Sequence, residues 1–145
     1  MLLNEELLRV WLNLSTTINN ERVVSDIHYN ESLVCNILYR SQLEKPDVKL
    51  TATDLCLKTR ILKSQMNRTL NSMEERGLIR RERSMEDKRQ VYVTLEMDGI
   101  QLYIAQHAKI LKVLDGIIDK IGEEKTMQVI RLLTEVTQVA DEILG

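Results

Sequence analysis

The 145-residue sequence predicts a mainly helical α+β fold, and three observations support this prediction. Apolar residues recur at helical spacing over most of the chain, and the composition is rich in helix-forming residues. One stretch, Val91 to Leu95, alternates apolar and polar residues instead and predicts a strand with one buried face. The length suits a single domain, residues 1–145, that is long enough to bury a core.

The N-terminal part predicts two helices. Residues 4–19 form the first, with Asn4 as its cap, and its stripe of leucines is wider than one neighbour in a small domain would cover. A second helix over residues 30–41 precedes a polar loop over 41–50, which contains the only proline.

Residues 51–62 predict a short capped helix and a turn. Thr51 can cap this helix, because Asp54 stands three residues later and supplies the reciprocal acid of a capping box. Leu55 is its apolar anchor.

The next helix, residues 63–76, has two distinct sides. Its buried stripe recurs at i, i+4 and i+7 and consists of Met66, Leu70 and Met73. Its other side carries polar and basic side chains, namely Lys63, Ser64, Gln65, Asn67, Arg68 and Asn71. These side-chain types reach base edges and phosphates in a major groove, which predicts a recognition helix.

A basic hairpin follows. Gly77 stands where a left-handed residue would end the helix. Residues 79–83 and 90–95 predict two strands around a polar tip, residues 84–89. Helix, turn, helix and hairpin together predict a winged helix-turn-helix with a two- or three-stranded wing sheet, occupying residues 30–98.

Two helices are predicted beyond the wing. Apolar residues over 100–121 alternate steps of four and three, which is a heptad pattern, and Gly122 breaks it before a final helix. The alternative is a helical hairpin within one chain. Stripes this wide at both chain ends favour a subunit interface, with residues 1–29 and 99–145 as dimerisation helices.

The charge distribution favours a nucleic-acid partner although the whole chain has a net charge of −2. Residues 49–93 contain 11 Lys and Arg against 6 Asp and Glu, a net charge of +5, and the remainder has −7. A basic segment within an acidic chain is typical of a DNA-binding surface.

One ordered set of residues resembles a known family: Leu50-Thr51, Asp54-Leu55, Ile61, Lys63-Ser64, Arg68, Met73-Glu74, Gly77-Leu78-Ile79, Arg81 and Asp87-Lys88-Arg89. This stretch resembles the DNA-binding lobe of the MarR family of bacterial transcription regulators. The aspartate-x-arginine at the wing tip, a fixed distance after the glycine, is its most specific piece.

The sequence departs from the family pattern at two places. Leu62 occupies a position where the family often has a capping serine or threonine, so the recognition helix is expected to start one or two residues after Lys63. The segment Leu95 to Gly99 lacks the threonine that usually caps the next helix, which leaves the start of that helix open.

The resemblance implies a homodimeric regulator that binds double-stranded DNA, and we expect a repressor of a pseudo-palindromic operator. The expected wing contacts are Arg83, Asp87, Lys88 and Arg89, with Asp87 holding the Arg89 guanidinium as a bidentate pair near the minor groove.

Many relatives also bind a small aromatic or phenolic acid between the dimer helices and the DNA-binding lobe, which implies release by such an effector. The residues expected to line this cleft are Trp11, Ser15, Tyr39 and Arg40, although each also suits a core or surface position.

The sequence contains no motif for catalysis, a cofactor or a metal site, so the chain is expected not to be an enzyme. It shows no signal peptide and no membrane-spanning run, which predicts a cytoplasmic protein. Two alternatives remain open: a winged-helix module that binds protein instead of DNA, and a regulator that senses oxidants through Cys35 or Cys56.

Overall fold

The computed structural model describes residues 2–18 and 27–145 and confirms the predicted fold class. Within those ranges the chain forms six helices and three strands, which are α1 Leu3–Ile18, α2 Tyr29–Glu44, β1 Leu50–Thr51, α3 Ala52–Thr59, α4 Lys63–Glu75, β2 Ile79–Arg83, β3 Val91–Leu95, α5 Met97–Ile121 and α6 Glu123–Leu144. The predicted end of the first helix, at residue 19, lies outside the described residues. The chain divides into two compact units, Met1–Ala108 and Lys109–Gly145.

Two helix boundaries differ from the prediction. Helix α1 begins at Leu3, and Asn4 does not cap it, because its Oδ1 accepts only from the neighbouring backbone N of Glu5, at 2.9 Å. Helix α2 continues to Glu44, three residues beyond its predicted end at residue 41, and closes where the backbone N of Lys45 donates to the carbonyl of Ser41.

The core of the first unit lies between α2, α3, α4 and the sheet. Its largest fully buried side chains are Leu38, Leu55, Met66, Leu70, Met73, Val34 and Cys35. The predicted stripe on the recognition helix is therefore confirmed. It is this stripe that turns the opposite side of α4 outward, because residues three and four apart share one face of a helix.

The wing sheet has three antiparallel strands in the order β1-β3-β2. Leu50 lies opposite Val93, and Ile79 lies opposite Leu95, so both outer strands bury apolar residues against the central one. The side-chain Oε1 of Gln42 accepts from the backbone N of Leu95 at 3.1 Å and ties α2 to the end of β3.

Helix α5 starts at Met97 without the threonine cap of the family pattern. Its first turn passes very close to β2, because a Cβ built on Gly99 would lie 2.2 Å from the carbonyl oxygen of Leu78. That carbonyl also accepts from the backbone N of Glu96 at 2.9 Å. Glycine at position 99 is therefore required by a close backbone approach.

The second unit contains the last part of α5 and all of α6. The predicted break at Gly122 is confirmed, and this residue has a φ of 91°, a conformation that favours glycine. None of residues 109–145 is buried in the single chain.

Candidate nucleic-acid interface

The capping box at the start of α3 is confirmed. The Thr51 hydroxyl accepts from the backbone N of Asp54 at 3.1 Å, and the Asp54 carboxylate accepts from the backbone N of Thr51 at 2.9 Å. Two backbone donors at the helix N-terminus are thereby satisfied, which fixes where α3 begins.

The turn after α3 directs the chain into the recognition helix. Arg60 adopts a left-handed conformation, with φ 63°, and its backbone N donates to the carbonyl of Cys56 at 2.8 Å. The Thr59 hydroxyl donates to the carbonyl of Leu55 and accepts from the backbone N of Ile61. A polar side chain thus closes a turn that lacks glycine.

The recognition helix α4 begins at Lys63, as the predicted range 63–76 has it, and the later start expected from the missing cap is not observed. Leu62 takes the N-cap position with extended backbone and no side-chain bond. The helix nevertheless begins there, because the carbonyl of Leu62 accepts from the backbone N of Met66, a fully buried residue. Packing of Met66 fixes the first turn without a capping side chain.

The predicted base- and phosphate-contacting residues of α4 all lie on its exposed side, namely Lys63, Ser64, Gln65, Asn67 and Arg68. They occupy the first two turns, which is the end that enters a major groove in helix-turn-helix proteins. The structure therefore brings these five side chains onto one accessible, net basic surface.

The end of α4 forms the predicted glycine cap. Gly77 has a φ of 73°, its backbone N donates to the carbonyl of Glu74, and the backbone N of Leu78 donates to that of Met73. This pair of bonds is a Schellman motif, which satisfies two carbonyls at the helix end and turns the chain into β2.

Arg81 joins the recognition helix to the wing. Its Nη2 donates to Asn71 Oδ1 at 2.7 Å and to Glu74 Oε1 at 2.9 Å. The hydrogen bond from the Arg81 side chain lowers the pKa of the Glu74 carboxyl below its ordinary value. The sequence predicts Asn71 among the groove-facing residues, but its side-chain carbonyl oxygen accepts from Arg81 and links α4 to the wing.

The wing tip is held by a network of short-range bonds. The hydroxyl of buried Ser84 accepts from the backbone N of Glu86 at 3.2 Å and of Asp87 at 3.1 Å. Arg83 Nη1 donates to the carbonyl of Lys88 at 2.8 Å across the tip. The Arg83 side chain therefore stabilises the hairpin tip. The Lys88 side chain is exposed.

Asp87 and Arg89 are paired, but not in the bidentate geometry expected. One oxygen, Asp87 Oδ1, accepts from both the backbone N of Arg89 at 3.0 Å and its Nε at 3.2 Å. The two residues are only two positions apart, so a fork between both carboxylate oxygens and both guanidinium edges is not formed. The Arg89 side chain stays 92% exposed, with its terminal nitrogens directed to solvent.

Two of the four candidate effector-binding residues, Tyr39 and Arg40, line the same cavity. This cavity has a volume of about 440 Å³, and its other lining residues are Asn36, Leu43, Glu44, Tyr103 and His107. The rings of Tyr39 and Tyr103 lie 5.0 Å apart, and burial raises the pKa of Tyr103. Trp11 and Ser15 lie on α1 and do not line this cavity.

An ion pair of this unit has no counterpart in the sequence prediction. Glu31 is 2% exposed, and its carboxylate accepts from Arg76 Nη1 at 2.9 and 2.8 Å. The two residues are 45 positions apart, so no local pattern could have paired them. The only sequence signal was the acidic residue in the first turn of α2, where Glu31 also accepts from the backbone N of His28 at 3.0 Å.

The two cysteines are not disulfide-bonded. Cys35 is fully buried, and this burial, together with the nearby Glu31 charge, raises its pKa to about 12 despite an opposing effect of Arg76. Its thiol is therefore protonated at neutral pH, which disfavours a sensor that needs a thiolate there.

Among the residues described, no group of His, Cys, Asp and Glu side chains is arranged to hold a metal ion. Over the same ranges, none of the helices is long and apolar enough to cross a membrane.

Comparison with known proteins agrees with this geometry. A model of the MarR family matches residues 37–90. A curated relative, the HTH-type transcriptional regulator FarR of Neisseria gonorrhoeae, is 29% identical over 90 residues. The match covers 62% of this chain and 62% of FarR, so it spans less than two thirds of that relative's length.

Solved structures show the same fold. The Staphylococcus aureus MepR–DNA complex superposes with a TM-score of 0.76 at 19% identity, covering 97% of this chain and 99% of MepR. NadR in complex with 4-hydroxyphenylacetate has a TM-score of 0.65 at 22% identity, covering 94% and 92%. The winged helix-turn-helix segment is thus similar to the MarR family over residues 37–90, and the chain has the same fold as these solved structures.

Proposed function

We propose that the chain is a transcription regulator that binds a pseudo-palindromic DNA operator as a homodimer and represses transcription until a small effector releases it. The observation on which this rests is the exposed polar face of α4, flanked by the basic wing. A winged helix that binds only protein has no need for so many cations beside one helix face. FarR, named as a transcriptional regulator, and the DNA-bound MepR support the same assignment.

The dimer is proposed from apolar residues that the single chain leaves exposed. They lie at both ends of the sequence and comprise Leu3, Leu7, Leu8, Trp11, Leu12, Leu14 and Ile18 on α1, Leu111, Leu114 and Ile121 on α5, and Ile130, Leu133, Val136, Val139 and Ile143 on α6. A stable monomer rarely exposes this much aliphatic surface. Association of two copies through residues 1–29 and 99–145 would cover it.

A twofold dimer also explains why one chain carries a single recognition helix. In a symmetric dimer two such helices would meet half-sites one duplex turn apart, roughly 34–36 Å. The target is therefore an inverted repeat in which each protomer reads one half.

The proposed effector is a small aromatic or phenolic acid. In the cavity beside α2, the rings of Tyr39 and Tyr103 can pack against an aromatic ring, and the Arg40 guanidinium can pair with its carboxylate. NadR with bound 4-hydroxyphenylacetate is a structural relative that supports this ligand class. Trp11 and Ser15 on α1 are proposed to join the site in the assembled dimer.

Selection of bound sites from random duplexes, followed by a mobility-shift titration against salt, tests the proposal. An inverted repeat should emerge, and affinity should fall on the order of 10³- to 10⁵-fold between about 50 and 200 mM salt if about six to ten phosphates are contacted. A flat salt profile would instead support the protein-binding alternative.

A further inference from the structure

The buried carboxylate of Glu31 holds the C-terminal end of the recognition helix. Arg76 directly follows α4, its backbone N donates to the carbonyl of Ser72 at 3.2 Å, and its Nη1 reaches both oxygens of Glu31. The Glu31 side chain is 3% exposed, whereas that of Arg76 is 39% exposed. The backbone N of His28 supplies a third hydrogen bond, which fixes the carboxylate on α2.

This pair supplies a directional restraint that the core does not. Helix α4 packs on the rest of the unit through Met66, Leu70 and Met73, and apolar contacts of this kind are non-directional. On the wing side the Arg81 bonds to Asn71 and Glu74 hold the helix. On the α2 side the described contacts that depend on direction are those between Glu31 and Arg76.

A small tilt at Arg76 has a large effect at the other end of the helix. A helix of this length is roughly 20 Å long, so a tilt of about 5° would move its first turn by about 1.7 Å. Hydrogen bonds to bases tolerate only about 0.5 Å of donor–acceptor displacement. The first turns, which carry Gln65 and Asn67, would therefore lose their register on the bases.

We propose that Glu31 is a positioning residue for sequence reading: through Arg76 it sets the angle at which α4 meets the major groove. The inference rests on the proposed DNA-binding function. A buried ion pair is by itself a poor indication of stability, since its desolvation offsets much of its attraction. For sequence reading, the fixed geometry of the Glu31–Arg76 pair would matter more than its contribution to stability.

The test compares affinity for the selected operator with affinity for a random duplex, using the full chain at a temperature where circular dichroism shows every variant folded. Glu31→Gln and Arg76→Met should each lower operator affinity about tenfold, a loss comparable to one good base contact. Random-duplex affinity should stay within about twofold, because phosphate contacts do not require base register. Simple electrostatics predicts opposite effects instead, since the first variant removes a negative charge and the second a positive one.

Arg76→Lys keeps a positive charge beside Glu31, so it should lose less discrimination than Arg76→Met. Glu75→Gln is the matched control, as it removes an exposed carboxylate one residue away and should leave discrimination unchanged. If Glu31→Gln does not fold, Arg76→Met alone carries the test, because the Arg76 side chain is partly exposed and its replacement disturbs the core less.

Unchanged operator-to-random ratios in the variants would overturn the proposal while leaving DNA binding by the unsubstituted chain intact. Losses of affinity that are equal on both duplexes and that follow the thermal stability of the variants would also overturn it. Failure of the proposed function has a different signature, namely no salt-dependent duplex binding by the unsubstituted chain, and the proposal would then fall with it.

Discussion

One carboxylate oxygen of Asp87 holds Arg89 at two points, its backbone N and its Nε, within the tip of the wing. The bond to Nε restrains the direction of an otherwise exposed side chain and leaves its terminal guanidinium nitrogens accessible. In the proposed complex this side chain lies along or within the minor groove beside the major-groove contacts of α4. The restraint reduces the side-chain entropy lost on binding.

Loss of Asp87 should weaken DNA binding although it removes a negative charge from the surface that faces DNA. Asp87→Ala is expected to reduce affinity for operator and random duplexes alike at one salt concentration, measured by fluorescence anisotropy. Glu86→Ala is the control, since it removes the same charge from an exposed neighbour whose carboxylate does not hold Arg89. Tighter binding of Asp87→Ala to both duplexes would show that Asp87 is only a repelling charge.

Base reading and phosphate binding should separate between helix and wing. Gln65→Ala is expected to cost about 1–3 kcal/mol on the preferred operator and little on random DNA. Arg89→Ala should weaken binding to most sequences and make the salt dependence shallower. Mobility-shift titrations on both duplexes at several salt concentrations measure the two effects. If Gln65→Ala lowers affinity equally for both duplexes, other residues of α4 must read the bases.

Gly99→Ala should destabilise the first unit, because its Cβ would lie 2.2 Å from the carbonyl oxygen of Leu78. The expected loss in the free energy of unfolding is about 1–3 kcal/mol or more, the usual range for overpacking. Gly116→Ala is the matched control, since nothing in the chain lies within 4 Å of its added Cβ. That change should be neutral or stabilising by up to about 1 kcal/mol. Equal urea midpoints for both variants would contradict the close approach.

A charge placed on the exposed stripe of α6 should dissociate the proposed dimer. Leu133→Glu is expected to shift sedimentation velocity from dimer to monomer or to cause aggregation, because the exposed stripe would lose its cover. Gln128→Glu is the control: it adds the same negative charge to α6 at a polar residue and should leave the dimer intact. A dimer that survives several such substitutions would place the interface on another surface.

The buried thiol of Cys35 should make the protein less stable in alkali. Its pKa is raised from 9.0 to about 12, so the folded state holds its proton where the unfolded chain releases it. The associated stability is complete below pH 9 and is lost as pH rises toward 12, with a loss of about 1–2 kcal/mol by roughly pH 10.5. Urea denaturation at two pH values measures this, and Cys35→Ala should remove that part of the pH dependence. At neutral pH, iodoacetamide should leave Cys35 unmodified until the protein unfolds.

The elements of the recognition region were predictable because short-range patterns define them. The Thr51–Asp54 box, the apolar stripe of α4 and the left-handed Gly77 each depend on residues within about four positions. The later start of α4 inferred from Leu62 was wrong for the opposite reason. Burial of Met66, a tertiary effect, replaces the missing side-chain cap at Leu62.

By itself, the sequence determined the order of the helices and of the two hairpin strands, the exposed polar face of α4 and the basic wing, because helical and strand periodicities decide which side chains share a face. Only the tertiary structure decided which distant residues meet: Glu31 with Arg76, Gly99 with the carbonyl of Leu78, and Leu50 with Val93 as a third strand. Such partners are separated by tens of residues and are brought together by burial of the shared core, so no local pattern encodes them.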